Sequence, residues 1–139
     1  RPPMIYGKGS KGNYPKLARL AQKIPIFPDI ENERSMLYIE NLCEFIRLMI
    51  DNEEKGIFFP ENKENVKTRD IVSEIAETYE KKIVLIKVFN PLIRFLSNKF
   101  FKINKLFGSL TYDKEISDIS KEIYNVIDFK TSIKLTEMR

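Results

Sequence analysis

The chain has 139 residues, 42% of them apolar and 12% aromatic, which suits one domain with one core. Its 24 basic and 20 acidic residues leave a net charge of only +4, without the gathered basic excess of a dedicated nucleic-acid binder. One cysteine excludes an internal disulfide and suits a reducing, cytoplasmic compartment, and the absence of histidine removes imidazole acid/base chemistry and makes a zinc site unfavourable. No window holds the roughly 18 uncharged apolar residues of a spanning helix. The nearest stretch, LCEFIRLMI, carries Glu44 and Arg47.

Residues 1–7 read as a strand ending at Tyr6-Gly7, with an irregular start because Pro2 and Pro3 cannot donate to a ladder. GKGSKGN is a turn. Its glycines and lysines before a helix could cradle a phosphate through backbone N–H groups. It lacks the Gly-Lys-Ser/Thr that closes a P-loop, and a plain flexible loop fits it as well. Asn13 suits the N-cap of the next helix, with Pro15 in the first turn and Leu17, Leu20 and Ala21 at helical spacing. IPIFPDI is extended and broken by Pro25 and Pro28. RSMLYI alternates as a strand, in which Tyr38 reads as packing. Arg34 at its entrance is either a surface residue or a clamp whose guanidinium binds two phosphate oxygens at once.

Glu40 and Asn41 open the helix ENLCEFIRLMIDN, with Leu42, Phe45, Ile46, Met49 and Ile50 as its apolar stripe. Cys43 lies among apolar neighbours and reads as a small core residue. GIFFPE reads as a short buried strand. Thr68 suits the N-cap of a helix whose inward face is Ile71, Val72, Ile75, Ala76 and Tyr79. IVLIKVF is the clearest strand in the chain, β-branched and nearly uncharged.

From Asn90 the pattern is helical to Phe107. Arg94, Lys99, Lys102 and Lys105 accompany Phe95, Phe100, Phe101 and Phe107 there. Such a helix can lie on an anionic membrane or a partner, or face the core with a solvated basic edge. GSLTYD breaks the pattern, and a short helix around Lys114–Glu122 and a loose tail finish the chain. Strands alternating with helices give an α/β or α+β class.

Five collinear segments carry a resemblance: RPPMIYGKG, GNYPKLARLAQK, IFPDIENERSMLYIENLCEFI, GIFFPENKENVKTRDIVSEI and LFGSLTYDKEIS. Together they resemble the C-terminal part of the extended short-chain dehydrogenase/reductases, the UDP-glucose 4-epimerase-like family of NAD-dependent epimerases, dehydratases and 4-ketoreductases. The resemblance implies an α/β fold: the substrate-binding lobe and last strands of a Rossmann-type enzyme, as one domain over 1–139, without the dinucleotide-binding half. It implies a fragment that holds a nucleotide-sugar and is inactive alone. The family's Tyr-x-x-x-Lys pair has no match here, so no catalytic residue is assigned.

By position in the family motifs, Asn13, Ile26, Phe27 and Arg34 are implied to bind the nucleotide-sugar. Asn13 and Arg34 would meet the diphosphate, and the Ile26–Phe27 segment would meet the base. Pro2 and Pro3 are implied to run beside the nicotinamide of NAD or NADP in the intact parent, a cofactor this fragment would not hold strongly. Met4, Ser35, Met36 and Asn41 depart from the common spelling, so epimerase, ketoreductase and dehydratase all stand. Self-association through the exposed N-terminal strand is also implied. The alternative of another class is a membrane- or partner-binding module using residues 92–107.

Overall fold

Two short parallel ladders frame the computed structural model, which describes residues 2–88, 90, 91, 109, 111 and 121–138. In the first, β1 (Met4–Tyr6) pairs with β3 (Met36–Tyr38), Met4 standing opposite Met36. In the second, β2 (Ile26–Pro28) pairs with β4 (Val84–Ile86), Phe27 standing opposite Leu85. Parallel neighbours need a crossover. Accordingly α1 (Tyr14–Lys23) lies between β1 and β2 in the chain, and α3 (Thr68–Thr78) precedes β4. α2 (Ile39–Asp51) follows β3 directly, and α4 (Lys121–Tyr124) and α5 (Phe129–Glu137) complete the described elements. The class is α/β, as the sequence implies.

β3 explains where the core sits. Successive strand residues point to opposite faces. Met36 and Tyr38 enter one cluster with Tyr6, Leu17, Phe27, Ile71, Ile75 and Ile133. Leu37 enters a second cluster with Phe45 and Tyr124. Covering on both faces is the normal condition of a parallel ladder.

The helical face of α3 is buried as its periodicity predicts. Pro15 stands in the first turn of α1, and Asn13 takes the N-cap position without a side-chain bond to the helix end. Thr68 is the first residue of α3 and not its cap. The Thr68 N–H donates to Asn32 Oδ1 at 3.0 Å, so a distant segment supplies the cap that local sequence assigns to Thr68.

Other expectations are corrected. On α2, Phe45 is buried, but Ile46 and Ile50 are exposed, as is Cys43. The inward side is turned toward Asn41, which is fully buried. GIFFPE forms no strand, because its continuation is used otherwise: Glu61 N–H donates to Tyr124 Oη at 3.1 Å and Asn62 N–H to Met36 O at 2.6 Å. Among the described residues of IVLIKVF, the strand is the three residues of β4, with Val84 58% exposed.

The tail is a helix. Asp128 caps α5 by accepting from Thr131 N–H at 3.0 Å, and Ile133 is buried. Of the short helix expected near Lys114–Glu122, the described part is Lys121–Tyr124. The basic aromatic stretch 92–107 lies outside the described residues. Among the described residues, no helix is long and apolar enough to cross a membrane.

Candidate functional site

Three of the residues singled out by sequence lie on one strap, Ile26–Arg34, and the structure ties this strap to the start of α3. Asp29 forms an ion pair with Arg69, which also reaches Glu31 at 3.1 Å. Asn32 exchanges two hydrogen bonds with Thr68: its Nδ2 donates to Oγ1 at 2.8 Å and its Oδ1 accepts the backbone N–H. Arg34 and Val66 exchange backbone bonds of 2.9 and 3.0 Å. Lys67, by hydrogen bond and charge, holds the Glu31 carboxyl below its ordinary range. These contacts fix the strap without covering all of it.

The two ends of the strap differ. At one end Phe27 turns its ring into the core and is 1% exposed, while Ile26 is 44% exposed beside its cross-strand neighbour Val84. Val84 N–H donates to Pro25 O and Asp29 N–H to Ile86 O, so Pro25 and Asp29 direct their backbones at β4. By alternation, Ile26 directs its N–H and C=O away from β4, offering one donor and one acceptor at the opposite edge. At the other end Arg34 is buried, and burial draws its guanidinium down from its ordinary pKa. Arginine nevertheless remains a cation at working pH. Ser35 donates to Asn65 Oδ1 at 3.0 Å, and next to this bridge a hollow of about 300 Å³ is lined by Glu33, Lys63, Glu64, Asn65 and Lys121.

The remaining candidates lie around β1. Pro2 and Pro3 precede the first paired residue of β1, Met4; Pro2 is exposed and Pro3 half-buried. Asn13 is half-buried ahead of Tyr14, whose ring stacks on Tyr6 at 5.2 Å. Tyr14 and Phe27 belong to one core cluster. The structure thus places the neighbour of Asn13 and Phe27 in one core cluster, bridges Arg34 to Val66, and leaves Ile26 on an open face.

Gly7, Gly9 and Gly12 carry the G-x-G-x-x-G spacing between a strand and a helix, a spelling that points to dinucleotide binding. Their geometry does not follow it. In that fingerprint the third glycine allows close helix–strand packing. Here a Cβ on Gly12 or Gly9 would meet nothing within 4 Å, and only Gly7 is tight, 2.5 Å from Ile39 Cγ2. This loop therefore lacks the close helix–strand packing of that fingerprint.

One group escaped the sequence reading. Asn41 Nδ2 lies 3.2 Å from Asn62 Oδ1, 3.0 Å from Asn125 Oδ1 and 3.0 Å from Ile127 O, and its Oδ1 accepts Ile127 N–H at 3.0 Å. Asn62 also donates to Tyr6 Oη at 3.0 Å, and Tyr6 shares a 2.6 Å bond with Ser132 Oγ. A polar residue inside an apolar stripe was the available signal. These groups satisfy one another and so tie α2 to the segments around Asn62 and Asn125.

No protein-family model matches the chain. Over 86 residues, 58% of its length, the chain is 33% identical to the UDP-glucose 4-epimerase of Vibrio cholerae and spans 26% of that protein. Its fold is similar to that of the UDP-glucose 4-epimerase of Thermus thermophilus, solved in complex with NAD. The TM-score is 0.63 at 17% identity, over 98% of this chain and 43% of that one. The UDP-N-acetylglucosamine 4-epimerase of Bacillus cereus gives 0.62 at 13% identity, over 96% and 42%. The chain therefore spans about a quarter of the curated relative and under half of the solved ones. The resemblance carried by the five segments meets epimerases both in sequence and in fold.

Proposed function

We propose that this chain is the nucleotide-sugar-binding, C-terminal portion of an NAD-dependent 4-epimerase, and that it grips the nucleotide without performing the proton chemistry. The likeness to a UDP-glucose 4-epimerase over 86 residues gives the class. The observation that carries the reading is the strap Ile26–Arg34, tethered to α3 at Asp29, Asn32 and Arg34. Such a tether holds a base-reading edge and a guanidinium at a fixed separation before any ligand arrives.

In this reading the Arg34 guanidinium meets the diphosphate, and Asn13 contributes to it from the positive end of α1. The open N–H and C=O of Ile26 meet the edge of the pyrimidine base. Phe27 has its ring in the core, so of this segment the Ile26 side chain is the one that covers the base. In an intact enzyme a bound NAD would supply the hydride-transfer chemistry at the sugar carbon. Pro2 and Pro3 contribute an apolar wall and no donor to it.

Titration calorimetry of the whole chain with UDP, UDP-glucose and NAD tests this. UDP and UDP-glucose bind, NAD does not, and UDP-glucose with NAD gives no epimerisation. Arg34→Lys loses at least about tenfold in UDP affinity, because a point charge cannot replace a two-pronged donor. Ile26→Asp, at an exposed position, weakens UDP without loss of fold by circular dichroism. Turnover by the chain alone, or UDP affinity indifferent to both substitutions, overturns the reading.

A further inference from the structure

The strap read as gripping a diphosphate is itself acidic. Ile26–Arg34 carries Asp29, Glu31 and Glu33 against the one guanidinium of Arg34, a formal charge of −2. Like charges repel, and these stand close to the ligand that Arg34 would hold. An extended chain advances about 3.3 Å per residue, so Glu31 lies within roughly 10 Å of Arg34 and Asp29 within roughly 17 Å. At physiological salt an exposed charge is screened over about 8 Å, and a partly buried one much less. The carboxylates therefore act at Arg34 unless something answers them.

The start of α3 answers two of them. Arg69 Nη1 pairs with Asp29 and stands 3.1 Å from Glu31, and Lys67 Nζ stands 3.3 Å from the other Glu31 oxygen. Arg69 and Lys67 together bring the strap's charge of −2 to zero. Just after β4, Lys87 Nζ stands 3.9 Å from Asp29, and Arg69 Nε lies 3.5 Å from Asp70 of its own helix. Glu33 borders the hollow that Lys63 and Lys121 also line. Cations are disfavoured at the first turn of a helix, where the dipole is positive. Two of them stand at the start of α3 all the same, and both turn to the strap. The Arg69 and Asp29 side chains are 22% and 12% exposed, so their pairing is screened less than that of a surface pair.

We propose that Arg69 is a positioning residue for the nucleotide: with Lys67 it neutralises the strap's own carboxylates, so that Arg34 meets the diphosphate without net repulsion. This rests on the reading of the strap as the nucleotide grip, and adds a charge role to its tether. A tether that only held the strap's shape would act through its bonds, and neither salt nor neutral side chains would make good its loss. A tether that masks charge becomes dispensable once the charge is gone.

Titration calorimetry of the whole chain with UDP at about 10 mM and about 1 M salt is the test, since the screening length falls from about 30 to about 3 Å between them. Relative to the unaltered chain at the same salt, Arg69→Gln weakens UDP about five- to tenfold at the lower salt and less than about twofold at the higher. Because Arg69→Gln leaves the nearly buried Asp29 without its partner, a neutral variant is measured beside it. In Arg69→Gln combined with Asp29→Asn and Glu31→Gln, UDP affinity returns at least to that of the unaltered chain, although these ion pairs are gone. Glu31→Gln alone, at a side chain 66% exposed, tightens UDP about two- to threefold at low salt. UDP affinity indifferent to Arg69→Gln overturns the proposal, as does weaker binding by Glu31→Gln. A loss equal at both salts that persists in the neutral variant overturns it too, and leaves the tether a role in shape alone. No UDP binding by the unaltered chain overturns the reading of the strap as the grip, and this proposal with it.

Discussion

The β1–β3 and β2–β4 ladders have the same length and the same parallel sense, and the fold treats them in opposite ways. In the first, Tyr6, Met36 and Leu37 are fully buried, and Asn62 seals the outer edge of β3 by giving its N–H to Met36 O and accepting Tyr38 N–H at 3.0 Å. In the second, Phe27 is buried but Ile26 and Val84, opposite each other, face solvent. A ladder closed on both faces and one edge contributes stability. One that keeps a face and an edge open contributes little, and can meet a ligand. Hydrogen-bonded geometry alone does not assign these roles; what covers the strands does.

The sharpest way to break this contrast is Asn41→Ala. Asn41 is fully buried and joins α2 to Asn62, Asn125 and Ile127, the segments that close the first ladder. Each buried group left without a partner costs about 1–3 kcal/mol. Because the group is coupled, the expected total is about 3 kcal/mol, a large share of the roughly 5–15 kcal/mol that holds a domain folded. Urea denaturation at neutral pH measures it. A loss under about 1 kcal/mol would mean that apolar packing alone closes the ladder.

The same contrast explains what the sequence could and could not reveal. IVLIKVF is the most legible strand, yet it yields the most exposed one, because β-branched residues report a pleated surface and not its cover. α3 is legible because Ile71, Val72, Ile75 and Ala76 repeat at helical spacing, and the core takes that face. The role of Asn41 is not legible, since its partners lie 21 to 86 residues away and leave no local pattern. The cap of α5 is local, Asp128 to Thr131, and was open to a closer reading of the tail. Among the site residues, Arg34 and Ile26 come from family spelling. The inward turn of Phe27 depends on which side of β2 the core occupies, and Pro25 and Pro28 hide that alternation.

A smaller effect comes from Tyr6, whose hydroxyl bonds Ser132 and accepts from Asn62. Tyr6→Phe is expected to cost about 1–2 kcal/mol at neutral pH. Burial pushes the Tyr6 phenol up to about 12. The folded chain then holds this proton more tightly than the unfolded chain, where a tyrosine titrates near pH 10. The stability from that proton is complete below about pH 10 and is lost as pH rises through about 12. Tyr14, raised by burial and by Glu137, adds to the same slope. Unfolding free energies measured across this range should fall less steeply in Tyr6→Phe. An unchanged slope would mean that the closed ladder admits water at Tyr6.

Smaller again is the cap of α5, the helix that brings Ile133 and Ser132 to the closed ladder. Asp128→Ala is expected to cost about 1 kcal/mol in thermal or urea denaturation. The Thr131 N–H and hydroxyl hold the Asp128 carboxyl below its ordinary range. Its contribution is therefore present above that ordinary value and disappears as pH falls through the lowered one. The unaltered chain and Asp128→Ala should converge in stability toward strongly acidic pH. A constant gap between them would assign the loss to packing.

The smallest expected effect on stability tests the open ladder itself. Val84 is 58% exposed, and Val84→Ser should change stability by no more than about 0.5 kcal/mol, as exposed substitutions do. If the face shared by Ile26 and Val84 receives the base, the same substitution weakens UDP several-fold, since it removes apolar surface beside the reading edge. The two readouts separate the possibilities. A stability loss above about 1 kcal/mol would mean that the face is covered in solution, and the two ladders would no longer differ in kind. Unchanged stability with unchanged UDP affinity would leave the face open but assign the base elsewhere. Unchanged stability with weakened UDP is the result expected of a ladder whose exposed side is kept for a ligand.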